Sequence, residues 1–157
     1  MILANPADLR EVAPPGRRLM GLDIGTKTIG LALSDTRRVI ATPLETIRRR
    51  RFREDAARLI ALIDAREVGG LVIGLPLTLA GADGPRTQSV RQFARNLVTL
   101  RDLPVVLWDE RLSTAAIERE LIGMNVSRAR RAEVIDEHAA IFILQGALDR
   151  LANIKKN

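Results

Sequence analysis

Two short apolar runs with a glycine-containing turn between them constrain the fold of this 157-residue chain more than any other feature. Leu19–Ile24 and Ile29–Ser34 flank residues 25–28 (Gly-Thr-Lys-Thr), and this arrangement is typical of a β-hairpin. Val39–Ile47 predicts a third strand, and Pro43 within it favours an edge position because proline cannot donate a ladder hydrogen bond. The sequence therefore predicts three antiparallel strands at the start of the fold.

Helical and strand patterns alternate after the hairpin. Apolar residues recur at helical spacing from Phe52 to Ile63, and again from Val90 to Leu97. Leu71–Gly74 and Val105–Trp108 are short apolar runs of the kind that form buried strands. Because strands separated by helices are parallel, the sequence predicts an α/β fold. It consists of a mixed five-stranded sheet, three antiparallel strands and then parallel strands, with helices on both faces.

The two ends of the chain show no sustained apolar period. Three of the seven prolines lie in the first 17 residues, which also contain a possible short helical piece around Ala7–Val12. Helices around Ala115–Ile122 and Val134–Ala152 are predicted to close the fold. We therefore expect three segments: a flexible N-terminal extension over residues 1–17, a single domain over 18–152, and a C-terminal tail over 153–157.

Composition restricts the chemistry that this chain can carry out. The absence of cysteine excludes disulfides and thiolate metal sites, and a single histidine, His138, disfavours histidine-based metal sites and catalytic triads. We find no secretory signal pattern and no apolar run near the roughly 20 residues of a membrane span, so we expect a cytoplasmic protein with no membrane partner. The 25 lysines and arginines outnumber the 19 acidic residues, which fits a polyanion such as nucleic acid. A GC-rich genome also encodes arginine in place of lysine, so charge alone leaves the partner open.

Three acidic residues occupy positions that such a sheet would bring together. Asp23 lies near the end of the first hairpin strand, and Glu110 directly follows the last predicted strand. Asp136 stands at the start of an apolar series with helical spacing, so we expect it to open the inward face of the last helix. Clustered carboxylates raise each other's pKa, and a hard divalent cation such as Mg²⁺ or Mn²⁺ compensates their charge. Two such ions about 3.5–4 Å apart are a standard device for phosphodiester cleavage.

The same three residues also have purely structural interpretations. Asp23 can accept hydrogen bonds from turn amides, and Glu110 can pair with the arginine that follows it. Asp136 can complement a helix dipole as an N-terminal acid. Spacing alone does not decide between these interpretations and a metal site.

Four motifs follow one another along the chain. They are Met20–Asp35, Gly74–Leu77 with Gly84-Pro85 and the helix that contains Phe93, Trp108–Thr114, and Ile135–Ala140 with Ile143–Gln145. Together they resemble the YqgF family over about residues 18–151, and four ordered motifs are more specific than any one of them. The resemblance implies an RNase H-like fold related to the RuvC Holliday-junction resolvases. It also implies a nuclease that matures the end of pre-16S ribosomal RNA during ribosome biogenesis.

The family resemblance assigns metal binding and catalysis to Asp23, Glu110 and Asp136, with two Mg²⁺ or Mn²⁺ ions as cofactor. It implies pre-16S rRNA or ribosome precursors as the partner, and branched DNA is the alternative within the same chemistry. Thr28 stands where the family often has a basic residue, and Ala80 where it often has Asp or Asn. These departures concern substrate contacts and leave the three acids in place.

Basic residues near the motifs are candidates for contact with nucleic acid. Lys27 lies in the hairpin turn, and Arg111 follows the second acid of the triad. Arg128, Arg130 and Arg131 lie in the connection before the third acid, which we expect to be a mobile basic loop. The densest basic run, Arg48–Arg51, is also interpretable as a solvated helix start, and His138 is expected to face away from the acids.

Two functions of other classes remain open. Asp23–Gly30 also resembles the phosphate-1 loop of actin-like phosphotransferases, but those enzymes close two copies of the domain around ATP and 157 residues hold one. Binding of ATP with magnesium, measured by titration calorimetry, would support a phosphotransferase. A nucleic-acid-binding protein without catalysis is the other alternative, and the retention of all three acids speaks against it.

Overall fold

A computed structural model of the protein describes residues 1–154, without the side chains of residues 113–116, 136, 137 and 154. The strands are β1 (Ile2–Leu3), β2 (Arg18–Ile24), β3 (Thr28–Ser34), β4 (Ala41–Arg48), β5 (Val68–Leu75) and β6 (Val105–Asp109). The helices are α1 (Leu9–Val12), α2 (Phe52–Ala65), α3 (Pro85–Leu100), α4 (Glu110–Gly123), α5 (Arg128–Glu137) and α6 (Ala139–Ile154). None of the described helices is both long and apolar enough to span a membrane.

One mixed sheet contains the strands of the described chain in the order β1-β6-β5-β2-β3-β4. β2, β3 and β4 are antiparallel neighbours, whereas β5 and β6 join β2 in parallel. β4 is an edge strand, and its Pro43 lies opposite Ala32 beside a register shift. Because the outer side of an edge strand has no partner, the proline breaks no ladder bond. The predicted hairpin, edge strand and mixed sheet are confirmed.

The described chain has six strands rather than the predicted five, because the N-terminal segment adds one. Ile2 and Leu3 pair in parallel with Val105 and Val106. The short helix α1 then places Leu9, only 1% exposed, in the apolar layer under α6. The segment that we expected to be a flexible extension is thus packed onto the fold. A two-residue strand and one buried leucine produce no periodic pattern, so the sequence did not reveal this packing.

Helices cover both faces of the sheet. Helices α2 and α3 fill one face through the apolar stripes that the sequence predicted, with Leu59 and Leu97 fully buried. Helix α6 covers the other face, where Trp108 is also buried. The inward residues of α6 agree with the predicted series: Ala140, Ile143, Leu144, Ala147, Leu148 and Leu151.

The predicted final helix is divided at His138. Helix α5 ends at Glu137, His138 leaves the helical region with φ −119° and ψ 15°, and α6 begins at Ala139. Asp136 therefore lies in the last turn of α5 and not at the start of the inward face of α6. One non-helical residue leaves the apolar spacing intact, so the periodic pattern could not show the break.

The basic segment before Asp136 is helical, in contrast to the mobile loop that we expected. Arg128, Arg130 and Arg131 belong to the first turn of α5, and the Ser127 hydroxyl caps this helix by accepting from the Arg130 amide at 3.2 Å. The preceding helix also starts earlier than predicted, at Glu110 itself.

Gly21 lies where α6 crosses β2, and it allows a very close approach. A Cβ atom at this position would lie 2.7 Å from Leu144 Cβ and 2.9 Å from the Ala140 carbonyl oxygen. Both neighbours are on or near the helix backbone and cannot rotate away. The replacement Gly21→Ala must therefore push α6 outward.

We expect Gly21→Ala to lower the free energy of unfolding by about 1–3 kcal/mol, the usual range for overpacking a core. Gly30→Ala is the matched control, because a Cβ atom there would meet Ala140 Cβ at 3.7 Å, an ordinary contact. The control should be neutral or more stable by up to about 1 kcal/mol, since alanine is favoured over glycine within a strand. Urea denaturation measures both values. Equal stability of the two variants would contradict the proposed steric role of Gly21.

Candidate active site

Asp23 lies at the end of β2, beside the turn that leads to β3. It pairs in register with Gly30 on β3, and the turn closes with a hydrogen bond from the Gly25 amide to the Thr28 carbonyl oxygen at 2.8 Å. Because side chains alternate along a strand, Asp23 points to the same face as Gly21, the face that α6 covers. A Cβ atom at Gly30 would lie 3.8 Å from Asp23 Cβ, so this glycine leaves space around the carboxyl group.

Glu110 is the first residue of α4, directly after β6. Asp109 caps this helix, since its side chain accepts from the Arg111 amide at 3.0 Å. The Glu110 side chain lies against β5, where a Cβ atom at Gly74 would be 2.5 Å from Glu110 Oε1. Any larger residue at position 74 would displace the carboxyl group. Gly74 therefore leaves the space that the Glu110 carboxyl group occupies.

Asp23 and Glu110 come together at the carboxyl ends of β2 and β6. Both line one open pocket of about 450 Å³, which we call the carboxylate pocket. Burial and, after it, the negative charge of Asp23 raise the pKa of Glu110 from 4.5 to about 7, although the positive charge of Arg86 opposes the shift. The two acids thus interact electrostatically across the pocket.

Asp136, the third predicted acid, has a side chain outside the described residues. Ile135, which precedes it, and Ala139, three residues after it, line the carboxylate pocket. Among the side chains that the structure describes, no group of three His, Cys, Asp or Glu residues forms a metal site. The two acids that are described suit a hard cation, because carboxylate oxygens are the ligands Mg²⁺ and Mn²⁺ prefer and a cation would offset the repulsion at Glu110.

Lys27 and Arg111 occupy different surroundings. Lys27 is exposed in the β2–β3 turn and lines the carboxylate pocket. Arg111 forms a bidentate ion pair with Asp109, with Nη2 to Oδ2 at 2.7 Å and Nε to Oδ1 at 3.0 Å. This pairing holds the pKa of Asp109 below its usual value. Arg111 also donates to the Leu79 carbonyl oxygen at 3.3 Å, so it ties α4 to the 76–84 loop.

The three basic residues of α5 are not among the described residues that line the carboxylate pocket. Arg130 pairs with Glu133 at 2.9 Å, and Arg131 Nε lies 3.6 Å from Glu118 Oε1. Arg131 also donates to the Val126 carbonyl oxygen at 2.9 Å. Arg128 is exposed at the first position of the helix. The structure therefore places Lys27, and not these arginines, beside the described acids.

Arg86 is a site residue that we did not identify from the sequence. It is exposed in the first turn of α3, lines the carboxylate pocket and donates from Nη2 to the Ile24 carbonyl oxygen at 2.9 Å. The sequence carried only part of the signal: Gly84-Pro85 marks a helix start, because proline is favoured at the first helical position, but it does not show where that helix lies.

His138 lies nearer to the acids than the sequence predicted. It is exposed and lines a neighbouring groove of about 470 Å³ that also includes Asp23. Its Nδ1 is 3.0 Å from the Val134 carbonyl oxygen. The expectation that it faces away assumed a continuous helix, and the break at this residue removes that assumption.

The raised pKa of Glu110 predicts a pH-dependent stability of the metal-free protein. Between its ordinary value of 4.5 and about 7, the folded protein holds a proton that the unfolded chain has released. The free energy of unfolding should therefore fall as pH rises through this interval, by about 1–3 kcal/mol for a half-buried group. Urea denaturation with a chelator at about pH 5 and about pH 8 measures the change.

The variant Glu110→Gln serves as the control for this effect. An amide does not ionise, so the variant should lose this contribution and should be more stable than the unsubstituted protein at the higher pH. An unchanged pH dependence in Glu110→Gln would show that other groups cause it.

Comparison with known proteins identifies relatives that match most of the chain. A family model described as "RuvX: Holliday junction resolvase" matches residues 17–150. A protein of Bradyrhizobium sp. strain BTAi1 named "Putative pre-16S rRNA nuclease" is 65% identical over 92% of this chain and 89% of its own length. A protein of the same name from Rhodopseudomonas palustris strain BisA53 is 63% identical over 92% of this chain and 88% of its own.

Two solved structures share the fold at low sequence identity. Thermus thermophilus RuvC in complex with a Holliday junction substrate has a TM-score of 0.51 and 15% identity, covering 86% of this chain and 96% of that protein. The yeast mitochondrial Holliday junction resolvase has a TM-score of 0.53 and 12% identity, covering 96% and 86%. The RNase H-like fold and the resemblance inferred from the four motifs are confirmed, and the chain belongs to the RuvX family.

Proposed function

We propose that this protein is a metal-dependent endonuclease that hydrolyses phosphodiester bonds at the end of pre-16S rRNA. The observation that carries this proposal is the pairing of Asp23 with Glu110 in one pocket, where two glycines make room for the carboxyl groups. The names of relatives more than 60% identical to this chain support the substrate. Its partner would then be a ribosome precursor, and its place of action the cytoplasm.

The proposed metal ligands are Asp23, Glu110 and Asp136, with Mg²⁺ or Mn²⁺ as the ions. Ions of this kind, when bound, supply Lewis-acid chemistry for the hydrolysis of a phosphodiester. The contribution of the chain is to hold the ligands: strand pairing fixes the backbone at Asp23, and the absence of a side chain at Gly74 leaves the space that Glu110 occupies. Because burial and the charge of Asp23 disfavour ionised Glu110, cation binding would stabilise the charged form.

Five basic residues are the proposed contacts to nucleic acid. Lys27 is the strongest of them, because it is exposed and lines the carboxylate pocket. Arg128 is exposed at the start of α5, where it can meet a phosphate. The other three already bind acidic side chains, so contact with a phosphate requires them to exchange or share a partner: Arg111, Arg130 and Arg131.

Branched DNA is the second candidate substrate, because the matching family model is described as a Holliday junction resolvase. Purified protein with magnesium or manganese, incubated with precursor rRNA and with a four-way DNA junction, separates the two. We expect cleavage of the RNA. Cleavage of the junction with intact RNA would overturn the assignment to pre-16S rRNA and keep the nuclease.

We expect Asp23→Asn to reduce cleavage by at least about 100-fold, since even residues that only support metal ligands contribute 10–100-fold. RNA binding by this variant should be unchanged or tighter, because a neutral site repels phosphate less. Gel-based cleavage and fluorescence anisotropy measure the two effects.

Asp8→Asn is the matched control for this variant. Asp8 is exposed in the N-terminal segment, and its neighbour Leu9 packs beside Gly70 near the start of β5, away from the pocket. This variant should keep both cleavage and binding. Undiminished cleavage by rigorously purified Asp23→Asn would show that the proposed catalytic site is wrong.

A further inference from the structure

A second, smaller cavity lies next to the carboxylate pocket, on the α3 side of the β2–β3 turn. It has a volume of about 180 Å³. Three separate elements supply its polar lining: the turn, the residue that follows β4, and the first turns of α3. These lining residues are Gly25, Thr26, Arg49, Arg86 and Ser89.

Main-chain carbonyl groups at the end of β2 and the start of the turn hold both arginines of this cavity. Arg49 Nη1 donates to the Gly25 carbonyl oxygen at 2.7 Å, and Arg86 Nη2 donates to the Ile24 carbonyl oxygen at 2.9 Å. The Arg49 guanidinium carbon also lies 5.7 Å from the centre of the Phe93 ring. Two long side chains from different elements are thus positioned before any ligand binds, which lowers the entropy lost on binding.

Neither of these two arginines forms a close ion pair with a carboxylate of the described residues. Several other arginines lie within 4 Å of a carboxylate, as Arg58 does with Glu45 and Arg101 with Asp64. No carboxylate of the described residues lies that close to Arg49 or Arg86. A carbonyl group is neutral, so the hydrogen bond that holds each guanidinium does not neutralise its charge. Each has five N–H donors, and the described hydrogen bonds of its side chain use one.

The cavity and the carboxylate pocket are adjacent. They share Gly25, Thr26 and Arg86 as lining residues. A polynucleotide strand that crosses the turn would therefore meet the acids first and the two arginines next. Guanidinium groups match phosphate oxygens in geometry and charge.

We propose that Arg49 and Arg86 form a subsite for the backbone phosphate next to the one that is cleaved. This proposal rests on the nuclease function proposed above and adds a positioning element to it. The subsite offsets the repulsion between the two acids and the polyanion, and it fixes the register of the strand over the carboxylate pocket.

A structural role for these arginines, which also clamp the turn, must be separated from phosphate binding. The experiment uses RNAs that span the cleavage position, each with one neutral methylphosphonate linkage at a different position. Their binding is measured by anisotropy in the Asp23→Asn background, which prevents cleavage. Arg49→Gln and Arg86→Gln are then compared on the same set of RNAs.

We expect one linkage beside the cleavage position to lower affinity about 10-fold when it is made neutral, as the loss of a charge-assisted contact implies. Each Gln variant should lose about 10-fold on unmodified RNA and nothing further when that same linkage is neutral. Arg86→Lys should recover much of the loss, because it restores the charge. A purely structural clamp would instead weaken binding to every RNA alike and leave the effect of the neutral linkage intact, which would overturn the subsite.

Arg95→Gln is the matched control, because Arg95 is exposed on the same helix and its side chain bonds to Gln92. It should bind every RNA as the parent does. The salt dependence of binding gives a second readout, because its slope reports the number of phosphate contacts rather than the absolute affinity of a variant. Each lost phosphate contact should lower the slope of log affinity against log salt by about 0.7 for a single strand.

Cleavage by the unsubstituted protein, measured in parallel, distinguishes the two proposals. If the protein cleaves RNA, but the losses of affinity from the arginine substitution and from the neutral linkage are additive, the subsite is contradicted and the nuclease assignment stands. If the protein does not cleave RNA, but the two losses of affinity are not additive, the phosphate subsite stands and the nuclease assignment is contradicted.

Discussion

The arrangement of the site depends on how closely α6 and Glu110 lie against the two central strands. At Gly21 on β2, a Cβ atom would lie 2.7 Å from Leu144 Cβ, and at Gly74 on β5 it would overlap Ile143 Cδ1. Neighbouring strands thus both lack side chains where the helix crosses them. This contact covers the end of the sheet where Asp23 and Glu110 meet. Burial of Glu110, the main cause of its raised pKa, follows from the same packing.

Packing and charge oppose one another at this end of the sheet. Burial of apolar surface under α6 stabilises the fold, but it also removes water from a carboxyl group beside a second acid. A destabilised group of this kind persists when the rest of the structure holds it in place, and it is typical of functional sites. Asp109 shows the contrast: it is adjacent in sequence, but its bidentate pairing with Arg111 holds its pKa low. Two successive acids thus have opposite electrostatic environments.

The sequence predicted the features that depend on local patterns. They are the hairpin around residues 25–28, the edge position of Pro43 and the buried stripes of α2 and α3. Each of them follows from residues that lie close together in the sequence. The features that it missed depend on single residues or distant pairings. These are the addition of Ile2–Leu3 to β6, the helix break at His138, and the hydrogen bond from Arg86 to Ile24. Each involves residues that leave no repeated pattern, so periodicity could not reveal them.

The same distinction explains why net charge says little about the site. An excess of six positive charges counts every arginine equally, yet the structure divides them by partner. Arg91 and Arg101 bind acids at the surface, where screening leaves little net field. Arg49 and Arg86 bind neutral carbonyl groups, so their charge acts on whatever approaches the turn. The turn between β2 and β3 therefore has acids on its α6 side and, on its α3 side, two cations that form no close ion pair with a described carboxylate. This one edge of the sheet can therefore attract both a metal ion and a polyanion. The acids attract the metal ion and repel the polyanion, and the arginines do the reverse.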